Sequence, residues 1–102
     1  MTFNPEMKQA LIHEIKECLA LESEIRKIIV FGSFIKSEEP KDIDLAIIQD
    51  SNDKYLTLAL KYRRLTRKVA EKIPIDIIPI RFDIGESWFL SEVKSGQIIY
   101  EK

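Results

Sequence analysis

At 102 residues, 45% of them hydrophobic and 32% charged, the chain has the size of one ordinary domain over residues 1–102 and the make-up of a globular protein, which argues against a two-domain enzyme or a disordered chain. Its 16 basic and 17 acidic residues, net charge −1, argue against a protein whose main work is direct nucleic-acid binding, and no apolar run approaches the roughly 20 residues that span a bilayer. The one cysteine, Cys18, closes no internal disulfide and the polar opening MTFNPEMKQALIHEIK is unlike a secretory leader, so a cytoplasmic location is expected.

Residues 5–22 carry Leu11, Ile12, Ile15, Cys18 and Leu19 at spacings of three and four, which predicts an amphipathic helix, with Asn4 as its N-cap and Pro5 as its first position. Residues 27–31 form a short β-branched run ended by Gly32, and residues 43–48 form a second; both are predicted as buried strands. From residue 51 to 72 the helical period returns, with Tyr55, Leu58, Ala59, Tyr62, Leu65 and Val69 on one stripe. IPIDIIPI at 73–80 is a third apolar run, whose Pro74 and Pro79 point to an edge position or to strand ends. A short helix over 84–93 and a strand over 97–100 complete the series. Helices interleaved with strands predict an α/β (α+β) domain with a small mixed sheet of about four strands.

Two residue groups ask for more than folding. Gly32-Ser33 closes the first strand run, and Asp42 and Asp44 stand one residue apart at the start of the second. Side chains two apart on a strand share a face, so the two carboxylates repel unless water or a cation lies between them. On their own they read first as the polar start of a strand leaving a loop. Asp76 shifts the balance, because it stands among isoleucines, where an ionised acid needs a cation, a donor or an opening to solvent. If the third strand lies beside the second, Asp42, Asp44 and Asp76 meet. Three carboxylates with no histidine or cysteine nearby suit Mg²⁺. A glycine at a strand end lets the backbone approach a ligand, and Ser33 can begin a helical turn facing phosphate; a strand-ending glycine followed by a capping serine is the plainer alternative.

The segments FGSF, DIDLAI and PIDIIP together resemble the minimal nucleotidyltransferases, the small members of the DNA polymerase β-like superfamily, from about residue 27 to the C-terminal EVKSGQIIYE. The resemblance implies the polymerase β-like fold and a metal-dependent transfer of AMP from ATP to a hydroxyl. It implies that Gly32 and Ser33 hold the phosphates, with Lys36 able to serve them in place of the family's arginine, and that Asp42, Asp44 and Asp76 form the catalytic and metal site. Two Mg²⁺ ions, replaceable by Mn²⁺, are the implied cofactors. It also implies a HEPN-type protein as partner and AMP acceptor, as in HEPN/MNT toxin–antitoxin pairs, and is compatible with a homo-oligomer. The alternative is a nucleotide-binding or catalytically idle antitoxin of the same fold that acts by contact. Eight residues separate Ser33 from Asp42, and Lys36-Ser37 stand where the family carries Arg-Gly after a longer loop; lysine serves phosphate as a point charge without arginine's fork.

The remaining polar features carry bland expectations. His13 reads as a surface or boundary residue. Lys61, Arg63, Arg64, Arg67 and Lys68 read as a solvated basic face. Trp88, Phe89 and Tyr100 read as core. DSNDKY at 50–55 lacks the glycine and glutamate of a calcium loop.

Overall fold

A computed structural model describes residues 2–83 and 96–102, in the order α1 (Pro5–Leu19), β1 (Ile25–Phe31), α2 (Ser33–Lys36), β2 (Ile43–Gln49), α3 (Tyr55–Leu65), α4 (Arg67–Ala70), β3 (Ile75–Arg81) and β4 (Gln97–Glu101). The helix expected over 84–93, with Trp88 and Phe89, lies outside the described residues.

Helix α1 begins as its sequence dictates. The Asn4 carboxamide oxygen accepts from the Met7 backbone N–H at 2.8 Å, and Pro5 takes the first position, where a missing N–H costs nothing. Leu11, Ile12, Ile15 and Leu19 are buried, while His13 is exposed beside Glu17 at 3.3 Å. The long helical stretch is broken into α3 and α4 at Thr66. Its hydroxyl donates to the Tyr62 carbonyl at 2.9 Å, beside its own N–H, and its backbone leaves helical geometry. The stripe holds at Leu58, Ala59, Tyr62 and Val69, which are buried, but Tyr55 is 58% exposed at the helix start.

The four strands make one mixed sheet in the order β3-β2-β1-β4. β1 runs antiparallel to β2 and β4, and β2 runs parallel to β3 through the α3–α4 crossover. β3 is an edge strand, as its prolines suggested, and at an edge the absent Pro79 N–H removes no ladder bond. The large core lies on one face of the sheet, where Ile28, Val30, Leu45, Ile47 and Ile77 pack with the buried residues of α1 and α3. The other face holds a smaller cluster of Ile29, Ala46 and Ile48, with Phe31 and Ile80 against it. β1 and β2 thus bury both faces, which accounts for their unbroken apolar runs.

The basic stretch of α3 is less uniform than its composition implied. Arg63, Arg64, Arg67 and Lys68 are exposed, whereas Lys61 is half-buried and reaches Glu22 at 2.7 Å and Glu24 at 2.9 Å. The buried Tyr62 hydroxyl donates to the same Glu24 oxygen at 2.8 Å. Burial pushes the Glu24 carboxyl up, but the hydrogen bonds from Lys61, the backbone and Tyr62, with the Lys61 charge, outweigh it and hold the group below its ordinary value. This network ties the turn before β1 to α3.

Candidate active site at the β2–β3 junction

The parallel register pairs Asp44 of β2 with Asp76 of β3. Residues paired across a ladder share a face, and by strand alternation that face is the one carrying Ala46, Ile48 and Ile80. Asp42 sits just before β2. The three side chains each bring an oxygen to a point where all lie within 4.8 Å of one another. The convergence expected from sequence is therefore observed.

Of the three ways open to an acid among isoleucines, the structure gives Asp76 the opening to solvent. Asp76 is exposed to solvent in spite of its isoleucine neighbours, because at the end of an edge strand its side chain finds the opening it needs. Asp44, on the inner strand, is half-buried, as is Asp42 just before it. Burial first, then the negative charges of Asp42 and Asp76 and a hydrogen bond shared with Asp76, raise its pKa above the ordinary 3.8. The desolvated acid of the cluster is thus Asp44 rather than Asp76. Three carboxylates gathered at one point are the donor set a hard divalent cation satisfies, so the residues fit Mg²⁺.

Gly32 faces this cluster from the end of β1. Its φ is +77° with ψ −151°, a conformation close to glycine-only. A Cβ added there would overlap the Asp44 carboxylate oxygen, so the missing side chain lets β1 end against the acid. Gly32, and not Ser33, is the N-cap of the one-turn helix α2; Ser33 is its first residue, and its side chain is exposed. Lys36, the last residue of α2, is also exposed. The hydroxyl and the ammonium are thus free to meet a ligand, on a turn that starts beside the carboxylates.

Sequence reasoning missed what supports this turn. The Lys8 ammonium donates to the Ser37 carbonyl at 2.5 Å, across 29 positions, and no local pattern signals such a pairing.

The family model described as "Polymerase beta, Nucleotidyltransferase" matches residues 13–102. Among solved structures, a chain of a tri-AMPylated Shewanella oneidensis HEPN toxin in complex with MNT antitoxin is 19% identical, with a TM-score of 0.61 over 94% of this chain and 74% of that one. A chain of the toxin–antitoxin MntA-HepT is 17% identical, with a TM-score of 0.58 over 92% and 73%. A Sulfolobus solfataricus protein is 14% identical, with a TM-score of 0.57 over 95% and 82%. At these identities the likeness is one of fold. No curated protein matches the chain.

Proposed function

Because the chain belongs to the polymerase beta nucleotidyltransferase family, we propose that it works as a single minimal nucleotidyltransferase domain that transfers AMP from ATP to a hydroxyl of a HEPN-type partner protein, as the antitoxin of a toxin–antitoxin pair in the cytoplasm. The observation that carries this reading is the meeting of Asp42, Asp44 and Asp76 within 4.8 Å, next to a glycine turn. The partner and the transferred group are supported by the structures of similar fold, one a MNT–HEPN complex with a tri-AMPylated toxin and one a toxin–antitoxin complex.

In this reading Gly32 admits the triphosphate close to the backbone, and the Ser33 hydroxyl donates to a phosphate oxygen. Lys36 adds a mobile positive charge on the same side. Asp42, Asp44 and Asp76 would hold Mg²⁺, which when bound neutralises the triphosphate and favours in-line displacement. Asp76, the exposed carboxylate, stands where an incoming hydroxyl can reach it and accepts that proton. The acceptor oxygen then bonds to the α-phosphorus as the bond to the bridging oxygen breaks, and pyrophosphate leaves. Little covalent chemistry is asked of the protein; positioning and charge supply the rate.

Co-expression with a candidate HEPN-type partner, followed by intact-mass spectrometry of that partner, tests the proposal. AMP on a partner hydroxyl supports transfer. A stable complex whose partner stays unmodified in the presence of ATP and Mg²⁺ overturns transfer and favours an antitoxin acting by contact, a reading to which the short loop and Lys36-Ser37 give weight.

A further inference from the structure

Residues 2–8 lie outside the stretch that matches the family model, yet they grip the turn that carries Gly32, Ser33 and Lys36. The Phe3 backbone N–H donates to the Glu38 carbonyl at 2.8 Å. The buried Phe3 and Phe34 rings meet with centroids 6.3 Å apart. The Thr2 hydroxyl reaches the Glu39 carboxylate at 3.3 Å. Lys8 makes two contacts at once: its ammonium donates to the Ser37 carbonyl at 2.5 Å and sits 5.4 Å above the Phe34 ring.

Phe34 is the buried residue of α2, and Ser37 is its C-cap, whose own N–H returns to the Ser33 carbonyl at 2.8 Å. A four-residue helix has too few internal hydrogen bonds to offset the cost of nucleation, so its geometry must be imposed from outside. Lys8 imposes it at the carboxyl end, where a cation suits exposed carbonyls. The side chain hangs from the first turns of α1, whose start the Asn4 cap fixes. Gly32 anchors the other end against Asp44.

We propose that Lys8, with Phe3, is a positioning residue for nucleotide binding: it touches no phosphate itself but sets the orientation of α2, and through it the places of Ser33 and Lys36. This inference rests on the nucleotide-transfer reading above. It separates Lys8 from the phosphate-facing lysine, Lys36, which is exposed on the same turn.

The test compares wild type, Lys8→Met and Lys8→Arg. Methionine keeps a stem over Phe34 but loses the donor and the charge; arginine keeps both. Calorimetry with Mg²⁺ and ATP, and amide hydrogen exchange without nucleotide, are measured on each. In Lys8→Met the ATP Kd is expected to rise about tenfold, about 1.4 kcal/mol. The Ile35 and Ser37 amides, which bond back to Gly32 and Ser33, are expected to exchange faster, while the β1 and β2 amides keep the wild-type rate. Lys8→Arg is expected to restore both readouts. Wild-type affinity in Lys8→Met, or wild-type exchange at Ile35 and Ser37, overturns the proposal, as does faster exchange spread evenly over the whole chain. A wild type that binds no ATP with Mg²⁺ overturns the nucleotide reading, and exchange alone then decides whether Lys8 holds the turn.

Discussion

Asp44 and Asp76 stand opposite one another in the parallel ladder of β2 and β3, with the inner acid half-buried and the edge acid exposed. Their pairing joins two segments 32 positions apart in sequence (76 − 44) and gives the candidate site two carboxylates of unequal character. The half-buried one resists ionisation, and the exposed one meets whatever approaches the sheet edge.

Asp44→Asn is therefore expected to stabilise the metal-free protein, by about 1 kcal/mol at neutral pH, because it removes the acid that burial and its two neighbours strain while keeping the shape. The pH dependence has a definite sign. The folded pKa of Asp44 is raised, so its contribution to stability is fully present below about pH 3.8 and is lost as pH rises through the folded value. The gap between variant and wild type should be small near pH 3 and widen on going up. Urea midpoints at several pH values in EDTA check this; a gap that narrows with rising pH would count against the assignment of Asp44 as the strained acid. The same variant should lose AMP transfer.

Metal dependence is expected to be complete. In the proposed reading a triphosphate would meet three carboxylates at the site, and their repulsion would be overcome only with cations between them. Calorimetric titration with ATP should show binding with Mg²⁺ or Mn²⁺ and none in EDTA. Binding of equal strength in EDTA would place the nucleotide elsewhere.

Gly32→Ala is expected to destabilise the protein by about 2 kcal/mol or more, since it combines a glycine-only backbone conformation with overlap on Asp44. The damage should reach function, because relieving the overlap displaces either the turn or the carboxylate. Ser33→Ala should leave stability within about 0.5 kcal/mol, as the exposed side chain packs against little, and should weaken ATP binding. A Gly32→Ala protein with wild-type melting would show that β1 can end another way.

Tyr62→Phe tests a part of the fold remote from the acids. It removes the hydroxyl that donates to Glu24 at 2.8 Å, and a loss of about 1.5–3 kcal/mol is expected for a hydrogen bond to a charged partner. Here the pH dependence runs the other way from Asp44. Glu24's folded pKa is depressed, so its stabilisation is present above about pH 4.5 and is lost as pH falls through the folded value. The cost of Tyr62→Phe should thus shrink on acidification, and ATP affinity should stay at the wild-type value. Reduced affinity without loss of stability would mean that the network communicates with the site.

The sequence by itself determined most of the described elements and pointed to the residues of the candidate site. Asn4-Pro5, the β-branched runs and the Leu58–Tyr62–Val69 stripe are local patterns, set by capping, propensity and periodicity within a few residues, and they predicted α1, the strands and α3 close to where they form. Asp-x-Asp, a third acid among isoleucines and a Gly-Ser pair mark the three carboxylates and the turn in the sequence itself. The break at Thr66 was not legible, because a threonine hydroxyl bonding to the carbonyl four residues back looks in sequence like any mid-helix threonine.

What only the tertiary structure decided concerns exposure and long-range support. Asp76 is hydrophobic in its neighbours but open in space, since β3 takes the sheet edge, while Asp44 takes the desolvation because β2 is covered on both sides. Lys61 left the basic face for Glu22 and Glu24, and Lys8 crossed 29 positions to close α2 at Ser37. Strand order and contacts between distant segments are properties of the packed chain, and the free energy of a carboxylate or an ammonium depends on the solvent and partners that packing leaves it.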